Sequence, residues 1–436
     1  MKIYLTPKCM PAALIFWVAG TLLMGIAFAE SKVEGLSLRE LIQEAIDNNP
    51  ELKAAKYEAL IKEAEIGPRG AYEDPMIEFE AMNYPVDSFS PREFGMTGQQ
   101  LSLTQKVPFP GKLTLLRRAA RLDYQAKQQG FSVRQLELIR NVKLAYYELF
   151  IAQKRQEILI ERKNLIRQLV VVTRNKYTLG KVSQAELLSL QVEEANLMSQ
   201  LLTAEKEIQA RGAELGALLG HQSAKVPGRV ARMTKTPFDF NKLTEQLLTD
   251  RIFAQNPALK GAAADLNVAE VKSSYAKWNY LPDFEFAIGY TFRQPNMDDR
   301  GVDVLSGAIE MSLPLWALSK QSEEVKGARA EQIRADAMLM QQRAQLIKQI
   351  HTKYAELSEA SKKLQLFEGG LLPLARQSVV TGQSAYLTGK LEYVSLLTFI
   401  NVRYQTEMEY NEALVTYENK IAEFEALLGE PIGALE

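Results

Sequence analysis

Side chains that could do chemistry are sparse in this chain. Its two histidines, His221 and His351, lie 130 residues apart. One follows Gly220 in a linker and the other falls inside a helix-like stretch. A transition metal needs imidazole, thiolate or carboxylate ligands gathered at fixed spacing, and no such gathering is visible. The single cysteine, Cys9, excludes an intrachain disulfide and a cysteine-based metal cluster. No glycine loop has the spacing that cradles phosphate, and no serine sits in a nucleophile elbow. The chain therefore reads as a non-enzyme with no cofactor. Two softer signals remain. Met76, Met82, Met96 and Met311 offer thioether contacts to copper or silver, although methionine also fills apolar gaps. Glu78, Glu80 and Glu285 would make a lumen acidic and favour cations, or would simply be solvated.

Apart from Met96, which precedes the second of them, those methionines and glutamates sit in segments of period two. Ile77, Phe79 and Ala81 alternate with Glu78 and Glu80, and Leu101, Leu103 and Val107 alternate with Ser102, Thr104 and Lys106. Phe284, Phe286, Ile288, Tyr290 and Phe292 alternate with Asp283, Glu285, Ala287, Gly289 and Thr291. A fourth segment spans about Val302 to Leu313. Period two means strands with one apolar and one polar face. Their lengths approach the roughly 9–11 residues of a tilted membrane-spanning strand.

Everything else is helical in pattern. Ser37 and Glu40 are spaced as a capping box, with Leu36 as a hydrophobic staple, and the helix they open runs to about Ile66, where Gly67-Pro68 and Gly70 end it. Asp47-Asn48-Asn49-Pro50 interrupts it early. After Pro108-Phe109-Pro110-Gly111 one apolar row steps by four and three through Leu138, Val142, Ala145, Leu149 and Ala152, then by seven to Leu159 and Ile166. A second row, Leu144, Tyr147, Ile151 and Ile158, gives the helix neighbours on two sides. From Lys112 to about Thr178 it would be roughly 100 Å long, so it needs a coiled coil or a barrel of helices. Gly180 stops it, and Ser183 with Glu186 starts another that ends at Gly220.

The order then returns. Asn49-Pro50 reappears as Asn256-Pro257 and Pro75 as Pro282, both 207 residues on; Pro108 reappears as Pro314, 206 on; Gly180 reappears as Gly389, 209 on. The expected organisation is a leader over 1–29, a first repeat over 30–220, a linker over 221–241, a second repeat over 242–429 and a tail over 430–436. The leader rests on Lys2 and Lys8, the apolar run from Ala12 to Phe28 and the cleavage pattern Ala27-Phe28-Ala29. With 47% hydrophobic and 24% charged residues and a net charge of −1, nothing suggests nucleic acid as a partner. After cleavage the protein is either soluble outside the cytoplasm or enters an outer membrane as a barrel. Four strands with one greasy face cannot close alone, because each unpaired edge group in lipid costs several kcal/mol. Either they form a small soluble sheet, or several chains pool them.

The leader, the duplicated order, Gln105-Lys106-Val107-Pro108-Phe109-Pro110-Gly111-Lys112 and the paired Tyr-x-x-Gly-Lys tips resemble the TolC-like outer-membrane factor family. Asp74-Pro75-Met76 and the Pro-Phe-Pro-Gly-Lys run look most like its heavy-metal efflux branch, of the CzcC and CusC kind. The resemblance implies a mainly α fold with a small β part. Long antiparallel helical hairpins would form a tunnel, and four strands per chain would join a trimeric 12-stranded barrel in the outer membrane of a Gram-negative bacterium. It implies a homotrimer in outer-membrane lipid, working with a periplasmic adaptor and an inner-membrane pump of the RND type. Tip contacts with the adaptor would fall on Tyr177, Gly180, Lys181, Val182 and Ser183, and on Tyr386, Gly389, Lys390, Leu391 and Glu392. Entrance-lining positions would be Glu392, Ser395 and Thr398; the last two are not acidic, unlike the aspartate ring of some members. Ile77, Phe79, Phe284, Phe286, Ile288 and Tyr290 would face lipid. A type I secretion or drug-efflux duct fits the same pattern. A soluble periplasmic coiled-coil adaptor explains the hairpins but not the aromatic strand row.

Overall fold

Asparagine followed by proline starts a helix twice, each time in the same way. The computed structural model describes residues 36–221, 228–231, 233–297 and 299–432. The expected leader lies outside the described residues, as do 222–227 and 232 of the linker and 433–436 of the tail. Helix α1 (Leu38–Asn48) gives way to α2 (Pro50–Arg69), and α5 (Glu245–Gln255) to α6 (Pro257–Trp278). The Asn49 carboxamide accepts from Leu52 N at 3.0 Å and donates to Leu218 O at 2.9 Å. Asn256 accepts from Leu259 N at 3.1 Å and donates to Leu427 O at 3.0 Å. Each asparagine thus caps the helix that follows and also ties its start to the end of another helix, while proline fills the first position, where no N–H is missed.

Two local expectations are corrected. The Ser37 side chain makes no capping bond; its carbonyl accepts from Leu41 N, and Leu36 is held instead by a bridge to Val230 that sets the entry into α1. Helix α2 does not stop near Ile66. It runs through Gly67 and Pro68 to Arg69, because a proline in the last turn forfeits only one bond.

The strands β1 (Met76–Met82), β2 (Gly98–Val107), β3 (Phe284–Arg293) and β4 (Val304–Met311) form one antiparallel sheet in the order β1-β2-β3-β4. The middle joint, β2 to β3, pairs residues 177 (Val107 with Phe284) to 195 (Gly98 with Arg293) apart in the chain. Both outer edges, β1 and β4, lack a partner among the described residues.

The remaining helices are α3 (Lys112–Thr178), α4 (Gln184–Leu218), α7 (Gln321–Leu366), α8 (Leu372–Leu387) and α9 (Tyr393–Leu428). A π-helical segment, Phe367–Leu371, joins α7 to α8, whereas α3 is unbroken over 67 residues. Helix α3 packs against α2 and α4 and also against α6 and α9, so both of its apolar rows are used. Three core clusters lie among the helices: one around Leu41, Val142, Leu149 and Leu215, one around Leu346, Tyr417 and Phe424, and one toward the tips around Ile166, Leu190, Leu197 and Ile400. None of their described members comes from the sheet.

Candidate functional site

The two hairpin tips share one backbone. Five residues connect α3 to α4 and five connect α8 to α9. Gly180 and Gly389 take φ of 70° and 76°. Lys181 N donates to Lys176 O at 2.9 Å and Gly180 N to Tyr177 O at 2.9 Å; Lys390 N donates to Ala385 O at 2.8 Å and Gly389 N to Tyr386 O at 3.1 Å. This double bond pattern is a Schellman motif, which satisfies the last carbonyls of a helix and requires the left-handed φ that glycine takes freely.

Their side chains differ. Gly180, Lys181, Ser183, Gly389, Lys390 and Glu392 are exposed, with Val182 and Leu391 half-buried. Ser183 Oγ accepts from Glu186 N at 3.3 Å and caps α4; Glu392 stands at the same position before α9 without a side-chain cap. Tyr177 is 41% exposed, whereas its counterpart Tyr386 is 3% exposed. The Tyr386 hydroxyl donates to Glu186 Oε1 at 3.1 Å and accepts from Thr173 Oγ1 at 2.8 Å. Lys176 Nζ sits 4.0 Å from the centre of its ring and donates to its carbonyl at 2.9 Å. Burial pushes the Tyr386 phenol up, so it stays a donor. Tyr386 is thus a clamp between the tips rather than a tip surface. Spacing marks Glu186 only as the capping-box partner of Ser183 and does not mark Thr173 or Lys176 at all, since what selects all three as partners of Tyr386 is contact between repeats. Ser395 is half-buried and Thr398 exposed, its hydroxyl donating to Val394 O at 3.0 Å. With Glu392 they follow one another at intervals of three along one side of α9.

At the other end of α3 the sheet separates its residues by face. Cross-strand partners share a face, and one face carries the rows Ile77–Leu103–Ile288–Gly307 and Phe79–Leu101–Tyr290–Leu305, with Phe286–Ile309 and Phe284–Met311 beside them. The opposite face carries Glu78–Ser102–Gly289–Ser306, Glu80–Gln100–Thr291–Val304 and Lys106–Glu285–Glu310. Ile77, Phe79, Phe286, Ile288 and Tyr290 are all exposed, and Phe284 is half-buried. An apolar face this large on a chain in water demands a cover. Met76 and Met311 fall on opposite faces, so the strand methionines do not converge within one chain.

A junction not foreseen from the sequence joins sheet to helices. Lys112, the first residue of α3, is buried and donates to Asp283 Oδ1 at 2.8 Å and to Leu281 O at 3.1 Å. Asp283 Oδ1 also accepts from Phe109 N at 2.7 Å. Phe109 meets Trp278 edge-on at 6.1 Å, and the Trp278 ring lies so close to Gly111 (φ 104°) that a Cβ there would collide with it. The Pro-Phe-Pro-Gly-Lys run is therefore a lock between repeats. Farther along, Glu418 is buried; it accepts from Thr236 N at 2.6 Å and Thr236 Oγ1 at 2.8 Å, which fastens the linker to α9. Both histidines lie beside carboxylates, His221 Nε2 2.6 Å from Glu44 and His351 Nδ1 2.9 Å from Glu245. Among the described residues, no group of three histidine, cysteine or acidic side chains is placed to hold a metal ion. No described helix is long and apolar enough to cross a membrane.

Residues 41–221 and 248–430 each match the sequence model of the outer membrane efflux proteins. The chain belongs to the outer membrane efflux protein family. It is an outer-membrane channel component and not an enzyme. It is similar to protein CyaE of Bordetella pertussis, with 24% identity over 76% of this chain and 70% of that one. It also resembles the cobalt-zinc-cadmium resistance protein CzcC of Cupriavidus metallidurans, at 19% over 61% of each. Among solved structures the CusC fold superposes with a TM-score of 0.76 at 16% identity, covering 90% of this chain and 92% of that one. The mainly α fold with a small four-stranded sheet that the resemblance implies is the fold found, and it matches that of the CusC channel.

Proposed function

We propose that three copies of this outer membrane efflux protein pool their strands into one 12-stranded barrel and their helices into one tunnel. The observation that carries this is the sheet: four strands, an exposed apolar face and two open edges. In lipid, open edges are not tolerated, and only closure removes them. Threefold pooling places Ile77, Phe79, Phe284, Phe286, Ile288 and Tyr290 toward lipid and the glutamate rows toward water. The duct is passive. A periplasmic adaptor docks on the tips at Lys181, Val182, Ser183, Lys390, Leu391 and Glu392, and an inner-membrane pump of the RND type supplies energy. Entry narrows at Glu392, Ser395 and Thr398. Heavy-metal cations are the cargo class that the likeness to CzcC supports, with the acidic strand face favouring cations.

Light scattering and planar-bilayer conductance test the assembly. A trimer in detergent that conducts is the expected result. A monomer in plain buffer with Phe286 and Ile288 buried would sink it. Loss of the gene should sensitise cells to cobalt, zinc or cadmium; unchanged tolerance would remove the metal cargo and leave the duct.

A further inference from the structure

The lock between repeats lies where β2 ends and β3 begins, since Val107 pairs with Phe284. Phe109, two residues past β2, packs on Trp278, six residues before β3. The duplication maps this place onto the open edges. Pro108 to Pro314 is a step of 206, which carries Phe109 and Pro110 to Leu315 and Trp316. Pro75 to Pro282 is a step of 207, which carries Trp278 back to Ala71. So the counterpart of Phe109 follows β4, one free edge, and the counterpart of Trp278 precedes β1, the other.

The exposed residues agree with that mapping. Leu315 is 78% exposed, Trp316 74% and Leu318 92%, in turns just past β4. Ala71 and Tyr72 are exposed just past α2. Three large exposed apolar side chains within four residues, next to an unpaired strand edge, are costly in water. Closing β4 of one copy against β1 of the next, antiparallel, brings the end of β4 beside the start of β1. That is the geometry β2 and β3 already have. Residue sizes also complement. Within the chain the tryptophan comes from the helix side, Trp278, and meets Phe109. Between copies Ala71 stands in the place of Trp278, with Tyr72 beside it, and the tryptophan comes from the strand side, Trp316.

We propose that Leu315 and Trp316 of one copy seat on Ala71 and Tyr72 of the next, repeating between copies the joint that Phe109 and Trp278 make within one. This rests on the channel reading above and adds the residues that join its subunits. Leu318 extends the same apolar contact toward Met76. The polar lock has no equivalent there, since Met76 stands 207 residues before Asp283. The joint between copies is therefore apolar where the joint between repeats is ionic.

The test uses the full chain with Cys9→Ala. Leu315→Cys combined with Ala71→Cys should give, on oxidation, denaturation-resistant bands at two and three times the chain mass, and neither single variant should. In a Trp17→Phe, Trp278→Phe background Trp316 is the sole indole. Its emission should be blue-shifted in the trimer and resist quenching by brominated detergent. A trimer by light scattering that does not cross-link overturns the proposal while leaving the channel reading intact. If the cysteine pair blocks assembly, quenching decides alone: strong quenching puts the patch in lipid and overturns it. A soluble monomer would overturn both readings.

Discussion

Two residues show how far a single group can be read. Tyr386 holds Thr173 and Glu186 together with one hydroxyl. Removing it as Tyr386→Phe strands a buried threonine, at a cost of roughly 1–3 kcal/mol. Bilayer conductance should rise, while Tyr177→Phe, changed at the exposed counterpart, should leave it alone. Equal conductance from both variants would refute the clamp. Glu418 makes a pH prediction. Burial pushes its carboxyl above the ordinary value, Glu425 adds to this, and Thr236 and Lys143 oppose it. Tyr147, from α3, faces it as a further titratable group and is itself pushed up by burial. An acid whose folded pKa is raised binds its proton more tightly when folded, so stability falls as pH climbs from about 4.3 through the raised value. Thermal midpoints should decline over that climb in the native protein and much less in Glu418→Gln, whose amide can still accept from Thr236 N and donate to its hydroxyl. Parallel curves would count against it.

Elements were legible in proportion to how local their causes are. Lys112–Thr178 matches the expected span because the apolar rows, the proline run before it and Gly180 after it are all sequence-near. The same holds for both tips and for the strand alternation. What sequence did not show is set by distant contact. Tyr177 and Tyr386 have like surroundings in sequence, yet only one is buried. Lys112 and Asp283 meet across 171 residues. Local punctuation also misleads: Gly67-Pro68 lies inside α2 without ending it, and Gly369, Gly370 and Pro373 mark a π-helical segment where the helix continues instead of stopping. The lock is testable at this scale. Lys112 is nearly buried while Asp283 is half exposed, so the two halves are unequal. Asp283→Ala leaves a buried ammonium unpaired and should cost about 3 kcal/mol, whereas Lys112→Met should cost clearly less. Chemical unfolding of the paired variants checks the order; the reverse order would mean that Asp283 does not hold the lysine.

For the whole molecule, the two repeats agree in backbone and disagree in detail. Asn49 and Asn256 make matching caps, and Gly180 and Gly389 matching turns. Gly180→Ala and Gly389→Ala should each cost more than about 1 kcal/mol, since alanine does not accept those φ values without strain. Amide exchange at the tips should speed up to a similar degree in both; a change at one tip alone would show that the turns are not equivalent. One difference is larger than any substitution. The first repeat's long helix is an unbroken post, while the second repeat's counterpart carries a π-helical crease over Phe367–Leu371, with Gly369 and Gly370 inside it and Pro373 just beyond. A rod bends where its ladder of hydrogen bonds is already irregular. In a ring of three chains, three stiff staves would alternate with three jointed ones. Widening such a ring would be the work of the jointed set swinging past the stiff one, so the mouth would dilate like an iris with every second blade fixed.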